Sequence, residues 1–213
     1  MASEGRIRIK ICGITSVQDG VDAAAAGADA IGLNFYARSP RVVEIAHANG
    51  IAAALPPFVT RVGLFVDPEP ELVRRVIDGV ALDVLQFHGD EPAEFCRSFG
   101  RSYIKAVRMH ETQDPVQREA EYADAAGLLL DTYEAGRAGG TGQAFDWGRI
   151  PATLQKPIIL AGGLTPRNVA AAIHAVRPYA VDVSGGVESE AGVKDVSLMR
   201  AFVSAARDAL RAA

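Results

Sequence analysis

The strongest constraint in this sequence is a regular alternation. Short apolar runs of strand character occupy residues 7–12, 30–35, 60–66, 84–87, 103–107, 128–130, 157–160 and 180–183. Each is followed by a stretch of helical character: 17–26, 44–55, 70–77, 91–99, 115–125, a short piece at 147–154, 165–176 and 195–212. The punctuation agrees with that division. Gly27, Pro56-Pro57, Gly79 and Gly100 stop helical runs. Pro70, Pro92 and Pro166 stand in first turns, where a missing N–H costs nothing. Thr165 is the expected cap of the seventh helix. Short connections with helical crossovers imply parallel strands. Eight βα units of roughly 25 residues match a small (β/α)8 barrel. With no linker or break in composition, residues 1–213 read as one barrel domain. The competing architecture is an open doubly wound sheet, which would usually carry a glycine fingerprint after its first strand if it bound a dinucleotide. Here the glycine-rich turns come late, after strands six, seven and eight, where barrels frequently build phosphate sites.

Composition narrows the function. The net charge of -4 offers no basic surface for nucleic acid or anionic membrane. No apolar run is long enough to span a bilayer. The first residues, Met1-Ala2-Ser3-Glu4-Gly5, carry no apolar signal region. Cys12 and Cys96 form no CxxC pair and no metal-ligand cluster, so no metal is expected. The expectation is a soluble, cytoplasmic protein acting on a small molecule, with neither nucleic acid nor membrane as partner.

In a barrel, chemistry sits at the C-terminal ends of the strands. The first strand, Ile7-Arg8-Ile9-Lys10-Ile11-Cys12, alternates, which puts Arg8, Lys10 and Cys12 on one face. Gly13 suits a sharp turn, and Thr15 or Ser16 can cap the helix that follows. Cys12 is then either a small buried hydrophobe or a thiol whose ionisation Lys10 and a helix N-terminus favour. Lys10 has a second reading, as a structural partner for Asp182. Asp131 ends the apolar run Leu128-Leu129-Leu130, where packing does not explain a carboxylate. It either braces its loop or serves as a general acid. Ala161-Gly162-Gly163 and Ser184-Gly185-Gly186 expose backbone N–H groups of the kind that cradle phosphate. Gly139-Gly140-Thr141-Gly142 reads as a lid, a third part of that cradle or a plain surface loop. Arg41, or its neighbour Arg38, suits a carboxylate. His88 is a structural histidine or a site residue, and Cys96 reads as core.

Beyond these local signals, the chain resembles phosphoribosylanthranilate isomerases of tryptophan biosynthesis. The pieces run in order from Lys10-Ile-Cys-Gly-Ile-Thr15 through Ser39-Pro40-Arg41, Pro56-Pro57-Phe58-Val59 and Gln86-Phe87-His88-Gly89-Asp90-Glu91. They continue with Leu129-Leu130-Asp131-Thr132, Phe145-Asp146-Trp147, Ala161-Gly162-Gly163-Leu164 and Val181-Asp182-Val183-Ser184-Gly185-Gly186-Val187-Glu188. The resemblance implies an Amadori rearrangement of N-(5-phosphoribosyl)anthranilate without metal or organic cofactor. It implies Asp131 as general acid and Cys12 as general base. It places Arg41 on the anthranilate carboxylate, Gly162, Gly163, Ser184 and Gly185 on the phosphate, and His88 and Asp182 among the substrate-binding residues. Two departures stand out: Phe87 where leucine commonly precedes the histidine, and Ser184-Gly185-Gly186 where Ser-Ser-Gly is usual. Neither alters the acid or the base. Competing readings are a histidine-pathway isomerase, whose aspartate position Cys12 fills; an aldolase using Lys10 or Lys105; and a barrel that only binds. A monomer and a homodimer both fit the sequence.

Overall fold

The computed structural model describes residues 6–110, 113–132 and 146–210. Eight parallel strands close into a barrel in sequence order. They are β1 (Arg8–Cys12), β2 (Ala30–Asn34), β3 (Thr60–Phe65), β4 (Val84–Phe87), β5 (Tyr103–Met109), β6 (Gly127–Thr132), β7 (Ile158–Leu160) and β8 (Ala180–Val183). Between and after them lie α1 (Val17–Ala26), α2 (Ile45–Ala54), α3 (Pro70–Gly79), α4 (Ala93–Arg97), α5 (Pro115–Glu121), α6 (Val169–Val176) and α7 (Val196–Asp208). The described residues after β6 form a 3-10 turn, Trp147–Arg149, where a short helix is expected. β8 leads through a second such turn, Gly185–Val187, into an unforeseen hairpin of β9 (Glu188–Glu190) and β10 (Val193–Lys194). Closure comes from β1 pairing with both β2 and β8, with Lys10 opposite Ala30 on one side and Asp182 on the other.

The two faces of each strand serve different purposes. Ile9, Ile11, Ile31, Leu33, Phe65, Leu85, Phe87, Val181 and Val183 join the helices in one large core. Phe35, Phe65, Phe87, Phe95, Phe99 and Tyr103 form a continuous aromatic row outside the sheet, with centroids 5.1–6.0 Å apart. Phe87 therefore fills this outer row. Ala106, Leu129, Ile159, Ala161 and Ala180 make a separate, smaller cluster inside the barrel. Alternation then directs Lys10, Cys12, Gln86, Asp131 and Asp182 inward.

Local chemistry explains several boundaries. Ser16 caps α1, accepting from the Asp19 N–H, and Gly27 closes the helix in the left-handed region at φ 103°. The expected cap at Thr165 is displaced. The Asn168 side chain accepts from the Thr165 N–H and donates to the Gly163 carbonyl, drawing 165–168 into a turn, so α6 starts at Val169. The helix expected over 91–99 shrinks to α4, because Glu91 turns its carboxylate back onto the backbone N–H groups of Asp67 and Gly89. The helix expected over 115–125 ends at Glu121, before Tyr122, whose side chain is buried and donates to the Glu91 carbonyl. The glycine-rich segment 133–145, with its lid reading, lies outside the described residues.

Candidate active site

Cys12 is the last residue of β1, and Gly32 lies opposite it on β2. A side chain at Gly32 would place its Cβ 2.5 Å from Cys12 Sγ and 3.2 Å from Lys10 Nζ. The missing side chain is thus the space in which thiol and ammonium meet. Lys10 Nζ donates to Asp182 Oδ1 at 2.9 Å, and both side chains are almost fully buried. Lys10 therefore pairs with Asp182, the structural of its two sequence readings, while also lying beside Cys12. Burial alone would lower the Lys10 pKa, but Asp182 and Cys12 together leave it raised. Burial pushes Asp182 up against the pull of Lys10, and the nearby Asp131 carboxylate adds to that push.

The thiol follows the buried of its two sequence readings. Cys12 is 6% exposed, and burial raises its pKa despite the opposing effect of Lys10 and Lys194. A turn and a lysine do not outweigh loss of water around a thiolate. The resting group is a thiol with cations beside it.

Across the mouth, β4 and β6 supply a chain of polar groups. Gln86 Nε2 lies 3.0 Å from His88 Nδ1, and His88 Nε2 lies 3.0 Å from Asp131 Oδ2. Arg108, paired with Asp131 in the strand register, donates from Nη2 to the His88 carbonyl at 3.0 Å. Asp131 and His88 both act electrostatically on Asp182, so the two halves of the mouth belong to one site.

A second cluster lies beside Cys12. Arg41 Nε and Nη2 each donate at 2.7 Å to the two oxygens of Glu188, a bidentate pair. Lys194 Nζ, wholly buried, donates to Glu188 Oε1 at 2.6 Å and approaches Ser184 Oγ at 3.4 Å. Burial opposes the Glu188 charge, but its two cationic donors hold its pKa below the ordinary range. Burial lowers the Lys194 pKa, although Glu188 works the other way. Two cations around one carboxylate leave this corner net positive.

The glycine turns meet over the same mouth. Gly162 and Gly163 adopt φ of 84° and 63°, which L side chains rarely tolerate. A Cβ on Gly186 would collide with the Leu164 carbonyl oxygen, so the loops after β7 and β8 pack backbone to backbone. Ser184 and Gly185 open the 3-10 turn, and Val187 N–H donates to the Ser184 carbonyl at 3.3 Å.

The nine residues that the resemblance assigns to the site, Cys12, Arg41, His88, Asp131, Gly162, Gly163, Asp182, Ser184 and Gly185, lie at or just beyond the C-terminal strand ends, and the structure adds Gln86, Gly32, Glu188 and Lys194. Glycine inside β2 is itself a signal of close approach. Lys194 carries no local signal, because its role depends on the hairpin. Lys105, an aldolase candidate by sequence, points away from the mouth: its ammonium is held by Glu91 Oε2 at 2.7 Å and the Gly89 carbonyl at 2.6 Å. Among the described residues no His/Cys/Asp/Glu group could hold a metal ion, and no helix is long and apolar enough to cross a membrane.

Comparison with known proteins bears on the family. The sequence profile described as N-(5'phosphoribosyl)anthranilate (PRA) isomerase matches residues 9–205. An N-(5'-phosphoribosyl)anthranilate isomerase of Pseudomonas aeruginosa is 60% identical over 205 residues, covering 96% of this chain and 97% of the relative. One from Azotobacter vinelandii is 56% identical over 203 residues, covering 95% and 98%. The crystal structure of phosphoribosyl anthranilate isomerase from Thermotoga maritima superposes with a TM-score of 0.88 at 40% identity, over 95% of this chain and all of that one. A second structure of such an enzyme, in complex with reduced 1-(o-carboxyphenylamino)-1-deoxyribulose 5-phosphate, gives 0.82 at 39% identity, with coverage of 95% and 100%. With the profile spanning nearly the whole barrel and these relatives aligned along it, the chain belongs to the N-(5'-phosphoribosyl)anthranilate isomerase family.

Proposed function

We propose that this single-domain barrel converts N-(5-phosphoribosyl)anthranilate to 1-(o-carboxyphenylamino)-1-deoxyribulose 5-phosphate, a step of tryptophan biosynthesis, with Asp131 as general acid and Cys12 as general base. The observation that carries this reading is the convergence of a carboxyl and a thiol on one barrel mouth, beside two packed glycine turns. Asp131 delivers a proton to the furanose ring oxygen as the bond from C1′ to that oxygen breaks. The anthranilate nitrogen supplies the electron pair, giving a protonated Schiff base. Cys12, as thiolate, removes the proton from C2′; the C–H electrons form the C1′–C2′ double bond and the pair returns to nitrogen. The enolamine then takes a proton at C1′ as its C2′ hydroxyl becomes the ketone.

The surroundings support each part. The Lys10 ammonium stabilises the Cys12 thiolate that burial disfavours. Glu188 occupies Nε and Nη2 of Arg41 and leaves Nη1 as the donor for the substrate carboxylate. Gly162, Gly163, Ser184 and Gly185 present backbone donors to the phosphate. Asp182 and His88 line the ribose between these ends.

The test is loss of phosphoribosylanthranilate fluorescence, with substrate made in situ. Wild type removes it rapidly, whereas Asp131→Asn and Cys12→Ser each lower kcat by about 10²–10⁴-fold, the usual weight of one acid or base, with KM largely kept. A fully active double variant refutes the roles, and an inactive wild type refutes the reaction. Because burial raises the Cys12 pKa, kcat/KM climbs with pH as thiolate forms and declines as pH falls.

A further inference from the structure

One buried side chain is bonded to the supports of both ends of the site. Lys194 ends β10, and its side chain is wholly buried. Its ammonium donates to Glu188 Oε1 at 2.6 Å and makes longer contacts with the Ser184 carbonyl at 3.3 Å and Ser184 Oγ at 3.4 Å. These three acceptors match the three N–H donors of an ammonium. On one side, Glu188 carries the link on to Arg41, holding its Nε and Nη2 at 2.7 Å. On the other side, the contacts orient the turn after β8. The peptide bonds are trans, so the Ser184 carbonyl and the Gly185 N–H point in opposite directions. A carbonyl drawn to Lys194 therefore turns the Gly185 N–H away from it. An ammonium accepts no hydrogen bond, so the Ser184 hydroxyl proton also points elsewhere.

The hairpin that carries Lys194 is fixed against the same loops. Thr15 Oγ1 donates to the Gly192 carbonyl at 2.5 Å, and the Asp195 N–H donates to the Val187 carbonyl at 2.9 Å. A Cβ on Gly192 would lie 3.1 Å from the carbonyl oxygen of Pro40, the residue before Arg41. A Cβ on Gly13 would collide with Arg41 Cδ and come within 3.0 Å of Ser184 Oγ. The Arg41 stem and the Ser184 hydroxyl thus converge on the turn that follows Cys12.

We propose that Lys194 is a positioning residue for both anions of one substrate: its ammonium aims Arg41 through Glu188 and the Ser184–Gly185 peptide directly, and so sets the spacing between carboxylate and phosphate. The inference rests on the reading of Arg41 as the carboxylate donor and of Ser184 and Gly185 as phosphate donors. Its charge also favours the Cys12 thiolate, which adds a smaller effect on the chemical step.

Lys194→Met tests this. Glu188 keeps both bonds to Arg41 in that variant, so no buried carboxylate is left unpaired, and an amide spectrum confirms the fold. Two half-ligands report the two ends separately: anthranilate carries only the carboxylate, and ribose 5-phosphate carries only the phosphate. Titration should show the Kd of each rising about 10-fold, the order contributed by one hydrogen bond to a charged group. The KM for phosphoribosylanthranilate should rise about 100-fold while kcat falls by less than about 10-fold, because binding lost equally from substrate and transition state is read in KM. Arg41→Met is the contrast. It should weaken anthranilate and hold ribose 5-phosphate within about two-fold, because the contacts of Lys194 with Ser184 remain. Lys194→Gln, with an N–H donor but no charge, should show the same two losses in smaller measure, and it decides the matter where Lys194→Met does not fold. Loss at one end only, or at neither, in a folded Lys194 variant overturns the proposal, as does equal weakening of both half-ligands by Arg41→Met. Wild type that binds neither half-ligand overturns the subsite reading and the proposal with it; wild type that binds both, beside a Lys194 variant that binds them equally well, overturns the proposal alone.

Discussion

Two buried lysines in this barrel are built from the same parts and do different work. Lys10 sits inside β1 with Asp182 at 2.9 Å and Cys12 beside it. Lys105 sits on β5 with Glu91 at 2.7 Å and Cys96 nearby. Each set is lysine, carboxylate and thiol, and each is almost excluded from solvent. The difference is the face of the sheet. Lys105 points outward, where Glu91 also binds the N–H groups of Asp67 and Gly89, and Tyr122 donates to the Glu91 carbonyl. Nearly every polar atom there is committed to tying the loop after β4 to β5 and α5. Lys10 points into the mouth, where Asp182 also feels Asp131 and His88. The outer set is a brace closed upon itself, and the inner set is open to whatever enters the barrel.

Breaking the outer brace should have the largest effect. Lys105→Met leaves the Glu91 carboxylate buried without its cation, at a cost of about 3–5 kcal/mol. For a domain of this size that lowers Tm by on the order of 10 °C. Thermal unfolding measures it, and the paired Lys105→Met/Glu91→Leu variant should recover much of the loss. Activity of the folded fraction stays at the wild-type level. The inner lysine should show a loss of activity that the outer one does not. Lys10→Met removes the cation beside the Cys12 thiolate, and kcat should fall about 100-fold, equivalent to about 2.7 kcal/mol. Retention of full kcat by this variant would erase the distinction between the two sets.

The thiols sharpen the comparison at smaller scale. Burial pushes the Cys96 pKa up to about 12, with Lys105 opposing and Glu91 reinforcing that rise. Cys12, at the open face, should be carbamidomethylated by iodoacetamide at pH 9 well before Cys96, as read by peptide mass mapping. A reversed order would place the accessible thiol outside the barrel. The smallest effect tests whether nearness to the mouth alone confers function. Ser16 caps α1 four residues after Cys12. Ser16→Ala should cost about 1 kcal/mol in chemical denaturation with kcat unchanged.

Much of this arrangement is legible along the chain. The inward alternation of Arg8, Lys10 and Cys12 follows from a period of two, and the glycines after β7 and β8 mark backbone turns wherever they occur. Asp131 stands out because three leucines precede it. Helix ends are less legible. Asn168 displaces Thr165 as the start of α6 because its side chain reaches two backbone groups that only the folded turn brings near. The Cys12 ionisation also goes the other way from its local context. A following glycine and a neighbouring lysine suggest a stabilised thiolate, but burial dominates.

What the sequence by itself determined is the repeat of eight strand–helix units, the strand ends on which chemistry sits, and, through its resemblance, the family. Those are properties of period, of turn chemistry and of residue type at fixed places. The tertiary structure decided which lysine faces the mouth, that Glu188 holds Arg41 and Lys194 together, and that His88 lies between Gln86 and Asp131. These pairings span up to 172 residues, as between Lys10 and Asp182. They exist because closing the barrel brings β8 back against β1, and no local pattern encodes which side chains then share one dry interior.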